Sequence, residues 1–281
     1  MSDADADGDP GPTDDGGWDD EDDWDDDDVD EPVAGPTRAT VVVPDYPDDP
    51  AAVHELLATG AMEVRGRMPW SSNGTFLVQL CGAGGEVLGV YKPERGERPL
   101  WDFPPGLWRR EIAAYELGEA LGWPVVPPTL VREDGPLGVG SVQLFIPFDP
   151  EAHYFTLYED PANHDVLRRL AVFDILANST DRKGGHVLRG GDGSIWAIDN
   201  GLAFHEEFKL RTVIWEFGGD VISSELADAV EALLERGLPE ELTSLLAADE
   251  VEALQHRARS VITTRRFPID GTGRRYPWPL V

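Results

Sequence analysis

The chain has 281 residues, with 23 Lys and Arg against 54 Asp and Glu, and a formal net charge of −31 at pH 7. This charge argues against unaided binding to nucleic acid or to an anionic membrane, because both are polyanions. The one cysteine, Cys81, excludes a disulfide framework and a thiolate zinc cluster.

The N-terminal part of the chain is of low complexity. Residues 1–32 hold 17 acidic residues and no Lys or Arg. Like charges repel and little apolar surface can be buried, so residues 1–36 are predicted to be a disordered acidic tail. The N-terminus lacks the basic and apolar regions of a signal peptide, and no stretch reaches the ~20 apolar residues of a membrane span. We therefore expect a cytoplasmic protein without integral membrane association.

Residues 37–147 are predicted to form a strand-rich half with one prominent helix. A short helix is expected first, at residues 51–59. Runs rich in β-branched and aromatic residues then predict five strands, at residues 62–68, 76–80, 87–92, 125–131 and 141–146. The prominent helix is predicted at residues 108–121, where apolar residues recur at helical spacing and Gly122 provides a stop.

Residues 148–281 are predicted to be mostly helical. Three helices are expected, at residues 163–178, 223–236 and 239–264. Two short strands, 186–188 and 195–198, flank a turn and form a hairpin after the first of these helices. A β-rich lobe followed by a helical lobe predicts an α+β fold with a cleft between the lobes, and such clefts are common ligand sites.

Two aspartates lie on either side of the predicted hairpin. Asp181 follows the apolar helix within Ser-Thr-Asp-Arg-Lys-Gly-Gly-His, and Asp199 ends an apolar strand before Asn-Gly. Either residue alone would be an ordinary helix-end or turn aspartate. Together they bring two carboxylates to the mouth of the cleft. There one can receive a proton or orient a hydroxyl, while the other holds a divalent cation.

A lysine also lies inside an apolar strand, at Lys92 of Gly-Val-Tyr-Lys-Pro. Burying its charge is costly unless the charge is paired. Glu111, at the start of the prominent helix, would supply the partner and leave an ammonium facing the cleft. The alternative is an edge-strand lysine that extends to water. Upstream, the polar turn at residues 71–75 can present backbone N–H groups to phosphate, although most such turns only join strands.

In chain order, the polar turn, the strand lysine, the helix glutamate, the connecting strand and the two aspartates resemble the protein-kinase superfamily. Asp-Arg at 181–182 and Asp-Asn-Gly-Leu-Ala-Phe at 199–204 look like the type II phosphatidylinositol 4-kinases of the phosphatidylinositol 3-/4-kinase group. The chain looks like a member of a little-characterised actinobacterial branch of such proteins. The resemblance covers residues 62–219. It implies a two-lobed protein-kinase-like fold that uses ATP with Mg²⁺ or Mn²⁺.

The resemblance implies a role for each matched position. Asp181 would be the catalytic aspartate, and Lys183 would meet the transferred phosphoryl group, whose spread negative charge a cation stabilises. Lys92, oriented by Glu111, would contact the α- and β-phosphates. Asp199 would bind the metal that bridges the β- and γ-phosphates. The other ATP-binding positions are the turn over the phosphates and the backbone beside adenine: Ser71, Ser72, Asn73, Gly74, Thr75, Phe145 and Ile146.

One position departs from the family pattern. Five residues after the catalytic aspartate these kinases normally place a metal-binding asparagine, and here that residue is His186. Mg²⁺ prefers oxygen ligands, whereas imidazole suits softer cations such as Mn²⁺ or Zn²⁺. His186 is therefore a candidate metal ligand with an altered metal preference. The alternatives are a site with one metal, a loss of transfer, or a histidine that only packs the hairpin.

These features predict an ATP-dependent phosphotransferase of the phosphatidylinositol 3-/4-kinase-like group. Its expected acceptor is a protein hydroxyl or a soluble small molecule rather than a membrane lipid, because the net charge opposes an anionic surface and no cysteine-rich palmitoylation run is present. The alternatives are an ATP-binding pseudokinase scaffold and an AMP-transferring enzyme on a kinase-like fold. The acidic tail is expected to dock on a basic surface, for which the arginine-rich residues 264–278 are the candidate.

Overall fold

The computed structural model describes residues 42–68, 71 and 73–281. The predicted acidic tail, its docking and Ser72 lie outside these residues. The first described element is helix α1 (Pro50–Thr59). It begins after Asp49, whose side chain accepts a hydrogen bond from the Ala51 amide, a common way of satisfying a free N–H at a helix start. The predicted helix at residues 51–59 is thus confirmed.

A five-stranded antiparallel sheet follows α1. Its strands are β1 (Ala61–Arg67), β2 (Phe76–Gly82), β3 (Gly85–Pro93), β4 (Thr129–Arg132) and β5 (Gly140–Leu144), in the order β1-β2-β3-β5-β4. The register pairs Lys92 of β3 with Ser141 of β5. β4 begins later than predicted, at Thr129, because Pro127 and Pro128 have no backbone N–H to donate to a sheet.

Helix α2 (Leu107–Leu121) connects the sheet to the helical half of the protein. Eleven of its 15 residues are buried, which is far more than one apolar stripe requires. Ala113 and Leu117 belong to the same core as Leu167 and Leu170 of the helical half. A second core lies between α1 and the sheet. Because α2 is buried on most of its surface, its position is determined by both halves.

The helical half contains β6 (Phe148–His153), α3 (Tyr154–Tyr158), α4 (His164–Ala177), β7 (Val187–Gly190), β8 (Ile195–Ala197), α5 (Ser224–Arg236), α6 (Glu240–Thr243) and α7 (Ala248–Thr264). β6, β7 and β8 form a small antiparallel sheet. The prediction of one helix over residues 239–264 is wrong. The chain leaves the helix after α6 and starts again at α7, where the Ala247 amide donates to the Glu250 side chain.

The fold is therefore α+β, with an antiparallel sheet in its N-terminal half and helices in its C-terminal half. This confirms the predicted class and the predicted order of a strand-rich half followed by a mostly helical half. The β7–β8 hairpin lies between Asp181 and Asp199, as the sequence predicted. Among the described residues, every helix is too short or too polar to cross a bilayer.

Candidate active site

Lys92 forms an ion pair with Glu111, its expected partner on α2. The Glu111 side chain is almost completely buried, and its second oxygen accepts a hydrogen bond from the Asn200 amide at 2.9 Å. Burial alone would lower the pKa of Lys92, but Asp199 and Glu111 raise that pKa well above its usual value. The ammonium is therefore charged, and Glu111 connects the strand lysine to the Asp-Asn-Gly turn of the other half.

Asp199 lies between Lys92 and His186. Its Oδ1 is 2.7 Å from Lys92 Nζ and its Oδ2 is 3.3 Å from His186 Nε2, while 53% of the side chain stays exposed. The Lys92 ammonium holds the pKa of Asp199 well below its usual value, outweighing the opposite effect of burial. Asp199 has a φ of 58°, a left-handed conformation that costs a non-glycine residue energy and is found at functional sites. The turn thus presents an ionised, half-exposed carboxylate beside Lys92 and His186.

His186 contacts neighbouring groups through both ring nitrogens. Nδ1 accepts from the Lys183 amide at 3.4 Å, so the proton of the neutral ring is on Nε2, which faces Asp199. Burial lowers the pKa of His186 more than Asp199 raises it, so the imidazole is neutral at pH 7. In this arrangement the Nε2–H of His186 lies 3.3 Å from Oδ2 of the metal-binding candidate Asp199. Ligation of a metal by Nε2 would require that proton to leave.

Asp181 and Lys183 form a second ion pair close to the first cluster. Lys183 Nζ lies 2.8 Å from Asp181 Oδ2, and both side chains are partly exposed, at 21% and 29%. The backbone of this loop is held by the chain that follows Asp199, because the Thr180 amide donates to Leu202 O. The loop therefore presents a carboxylate and an ammonium side by side, next to the hairpin that ends at Asp199.

Arg182 is a site residue whose role the sequence did not reveal. Its side chain is 1% exposed and pairs with the equally buried Asp174 of α4 at 3.0 Å. It also donates to Ile198 O at 2.7 Å and to Asn200 Oδ1 at 2.6 Å, on either side of Asp199. Arg182 thus fixes the Asp181 loop relative to the Asp199 turn. The available signal was Asp174, a charged residue at an apolar position of a helix.

The polar turn at residues 71–75 folds back on the chain that follows β3. The Gly74 amide donates to Gly96 O at 2.7 Å, and a Cβ at position 74 would come within 2.9 Å of Gly96 Cα. Asn73 Oδ1 accepts from the Arg98 amide, and the Ser71 and Thr75 hydroxyls are 2.7 Å apart. The turn lies next to Lys92 in the sheet register, but among the described residues it makes no hydrogen bond to Lys92, Asp181 or Asp199. Its Gly74 amide already donates to Gly96 O and is therefore not free to bind a phosphate.

The predicted adenine-binding backbone follows β5. The Phe145 amide donates to Leu88 O at 2.9 Å, and Phe145 O accepts from the Tyr46 hydroxyl at 2.8 Å. Within the described chain Ile146 makes no backbone–backbone hydrogen bond. Of the two predicted adenine-binding positions, only Ile146 therefore has a backbone N–H that is free to donate. The Phe145 carbonyl still has one lone pair with which it can accept a second hydrogen bond.

The site is suited to a divalent cation that takes one protein carboxylate and completes its coordination with other ligands. In the described part of the chain, no three His, Cys, Asp or Glu side chains come together as a metal cage. Mg²⁺ does not need such a cage, because it usually takes one or two protein carboxylates and completes its octahedron with substrate phosphates and water. Asp199, ionised and half-exposed, fits this mode of binding.

Comparison with known proteins gives one clear relative. No protein-family model matches the chain. Two solved structures share 13% identity and a TM-score of 0.45 with it: hydra Fam20 with sugar, over 77% of this chain and 90% of that one, and the Helicobacter pylori proinflammatory kinase CtkA, over 75% and 94%. Protein Rv2133c of Mycobacterium tuberculosis (strain ATCC 25618 / H37Rv) is 39% identical over 263 residues, covering 80% of this chain and 94% of that protein. The chain belongs to the family of protein Rv2133c.

Proposed function

We propose that this protein binds ATP with a divalent cation between its two lobes, residues 37–147 and 148–281, and transfers the γ-phosphoryl group to a hydroxyl. The observation that carries the proposal is the convergence of Lys92, Glu111 and Asp199, which come from three separate elements. A half-buried lysine with two carboxylates, beside a second carboxylate–lysine pair at Asp181, suits a polyphosphate and its metal. In finer terms, we assign the protein to the phosphatidylinositol 3-/4-kinase-like group.

In this mechanism each residue acts on one atom of the reaction. Asp181 accepts the proton of the acceptor hydroxyl, whose oxygen forms the new bond to the γ-phosphorus as the bond to the β–γ bridging oxygen breaks and ADP leaves. Lys183 and Lys92 balance the negative charge on the phosphate oxygens. A cation bound to Asp199 would supply charge neutralisation between the β- and γ-phosphates. Ile146 donates its amide to adenine, and Phe145 offers its carbonyl.

The proposed acceptor is a protein or a soluble small molecule. A lipid kinase must approach an anionic membrane surface, and a chain with a net charge of −31 is repelled from such a surface. A diffusing acceptor avoids this repulsion, and a protein acceptor with basic residues around its hydroxyl would be attracted. The acceptor preference therefore rests on electrostatics.

A second candidate function is nucleotide binding without transfer, as in a pseudokinase scaffold. The observation in its favour is the imidazole of His186, 3.3 Å from Asp199, because the position that carries a metal-binding asparagine in the resembled kinases here offers no oxygen. A site with fewer oxygen ligands for the metal would still hold the nucleotide, but it would stabilise the transition state of transfer poorly.

The test is transfer from ATP labelled at the γ or the α position, with Mg²⁺ or Mn²⁺. The acceptors are inositol lipid vesicles, a generic protein mixture and the protein itself. Transfer of γ-label to protein or small molecules supports the proposal, and γ-label on lipid alone would contradict the acceptor class. Nucleotide binding without any transfer supports the scaffold, while transfer of α-label would indicate AMP transfer. Asp199→Ala should abolish metal-dependent binding, whereas Asp192→Ala, in the β7–β8 turn, should leave it unchanged.

A further inference from the structure

A buried ion pair connects α2 with α7 next to the candidate site. Arg110, the residue before Glu111 on α2, pairs with Glu250 of α7, 140 positions later. The two side chains are 5% and 7% exposed. Arg110 Nε also donates to Ala203 O at 3.0 Å, four residues after Asp199. One arginine thus joins α2, α7 and the segment that follows the Asp-Asn-Gly turn.

α7 holds the same segment through a second arginine. Arg257 lies seven residues, or two helical turns, after Glu250 and therefore on the same face of α7. Its Nε donates to Leu176 O at 2.8 Å and its Nη1 donates to His205 O at 3.2 Å. Residues 203–205 are consequently fixed by one buried arginine from α2 and one from α7.

These contacts restrict how α2 can move. A buried guanidinium that loses its carboxylate leaves an uncompensated charge, so Arg110 cannot separate from Glu250 without a large penalty. Glu111 is the next residue on the helix, and its two oxygens hold Lys92 and the Asn200 amide. A shift of the first turn of α2 would therefore break both contacts of Glu111.

We propose that Arg110 and Glu250 are positioning residues of the nucleotide site: α7 holds the start of α2, so that Glu111 stays in contact with Lys92 and the Asn200 amide. This makes α7, which lies outside the kinase-like motifs, a required part of the site. Only the measurement of nucleotide affinity rests on the proposed function. The contact between Glu111 and Asn200 can be measured in the protein without nucleotide.

The decisive variant is Arg110→Met with Glu250→Met. Replacing a buried ion pair by two apolar residues of similar volume commonly preserves or raises stability, so the fold is expected to survive. We expect a modestly lower melting temperature, because the Ala247 amide and Ala203 O lose their partners, and two specific losses that such destabilisation alone does not cause. The Asn200 amide should exchange with deuterium faster, because Glu111 no longer holds it in place. The dissociation constant for ATP with Mg²⁺ should rise about tenfold or more, as is common for residues that orient direct ligands.

Arg132→Met is the matched control. Arg132 is 3% exposed and donates to Leu57 O and Gly60 O at the end of α1, in the same half of the protein but away from Glu111. Its loss should lower the melting temperature and leave both the Asn200 exchange and the nucleotide affinity unchanged.

The outcomes separate this inference from the proposed function. Unchanged Asn200 exchange in the Arg110/Glu250 double variant overturns the inference, whatever the nucleotide does. Faster Asn200 exchange with no nucleotide binding by the wild-type protein keeps the positioning role and contradicts the proposed function. If the double variant does not fold, Arg110→Lys takes its place. Lysine keeps the charge but has no Nε–H for Ala203 O, and faster Asn200 exchange in that variant is again the expected result.

Discussion

Lys92 Nζ lies 2.7 Å from Asp199 Oδ1, although 107 positions separate the two residues in the chain. Lys92 belongs to the sheet and Asp199 to the turn after the helical half's hairpin, so their contact joins the two halves of the protein. In the proposed complex, ATP phosphates would become the partners of Lys92 and the cation would become the partner of Asp199. Because the two groups are in direct contact, a triphosphate and its metal would bind here by replacing this contact.

Lys92→Met is expected to weaken ATP binding by about tenfold or more, because methionine keeps the length of the side chain and removes its charge. The measurement is a titration of the protein with ATP and Mg²⁺. Lys209→Met is the matched control, since Lys209 is a similarly half-buried lysine, 20% exposed against 22%, that pairs with Asp102. Equal affinities for the two variants would contradict the role of Lys92.

Asp181→Asn is expected to lower the rate of transfer by about a hundredfold or more, because an amide cannot accept the proton of the acceptor. The dissociation constant for ATP should stay close to that of the wild-type protein, since Asp181 contacts no part of the Lys92–Glu111–Asp199 cluster directly. Single-turnover transfer and equilibrium binding measure the two effects separately. Asp192→Asn, in the hairpin turn, should change neither, and a loss of ATP affinity in Asp181→Asn would argue against its assigned role.

His186→Asn is expected to shift the metal preference of nucleotide binding towards Mg²⁺ relative to Mn²⁺. Asparagine supplies the carbonyl oxygen that Mg²⁺ prefers, at a position where an imidazole now lies 3.3 Å from Asp199. ATP binding measured with each cation gives the ratio of affinities. His164→Asn controls for the loss of a histidine, because His164 stacks on Tyr158 in another part of the fold. An unchanged Mg²⁺/Mn²⁺ ratio would remove the metal role of this position.

Asp174→Asn is expected to destabilise the protein by roughly 3–5 kcal/mol, because Arg182 would remain buried without its carboxylate. Ser179 and Thr212, which donate to the same carboxylate, would lose part of their hydrogen bonding. Denaturant unfolding measures the difference. Asp165→Asn on the same helix is the control, since Asp165 is 99% exposed and its pair with Arg168 spans 4.0 Å, so at most ~1 kcal/mol should be lost.

The hydrogen-bonded turn at Asp270 predicts that the stability of the folded protein depends on pH in the acidic range. Hydrogen bonds from Thr272 and Arg275 lower the pKa of Asp270 from 3.8 to about 2. Because the folded pKa lies below the unfolded one, the stabilisation is complete above about pH 5 and disappears as the pH falls towards 2. Asp270→Asn should therefore lower the melting temperature at pH 7, and the difference from the wild-type protein should vanish near pH 2. A difference that persists at pH 2 would show that charge is not its cause.

Local sequence patterns were sufficient to predict most helices and strands, including those that carry the residues of the candidate site. The strand around Lys92, the helix that begins before Glu111 and the hairpin between Asp181 and Asp199 all follow from periodicity and turn residues, which act over a few positions. A buried strand lysine needs a carboxylate, so its pairing with Glu111 was also accessible from the sequence.

Only the tertiary structure revealed the contacts between residues that lie far apart in the chain. The partners of Arg110, Arg182 and Arg257 lie on other elements, and no local pattern identifies which buried arginine meets which carboxylate or carbonyl. The break before α7 has the same origin, because Glu250 both caps that helix and pairs with Arg110. Helix periodicity depends on neighbours three or four residues away, whereas these contacts form only after the chain has brought distant segments together and removed water from between them.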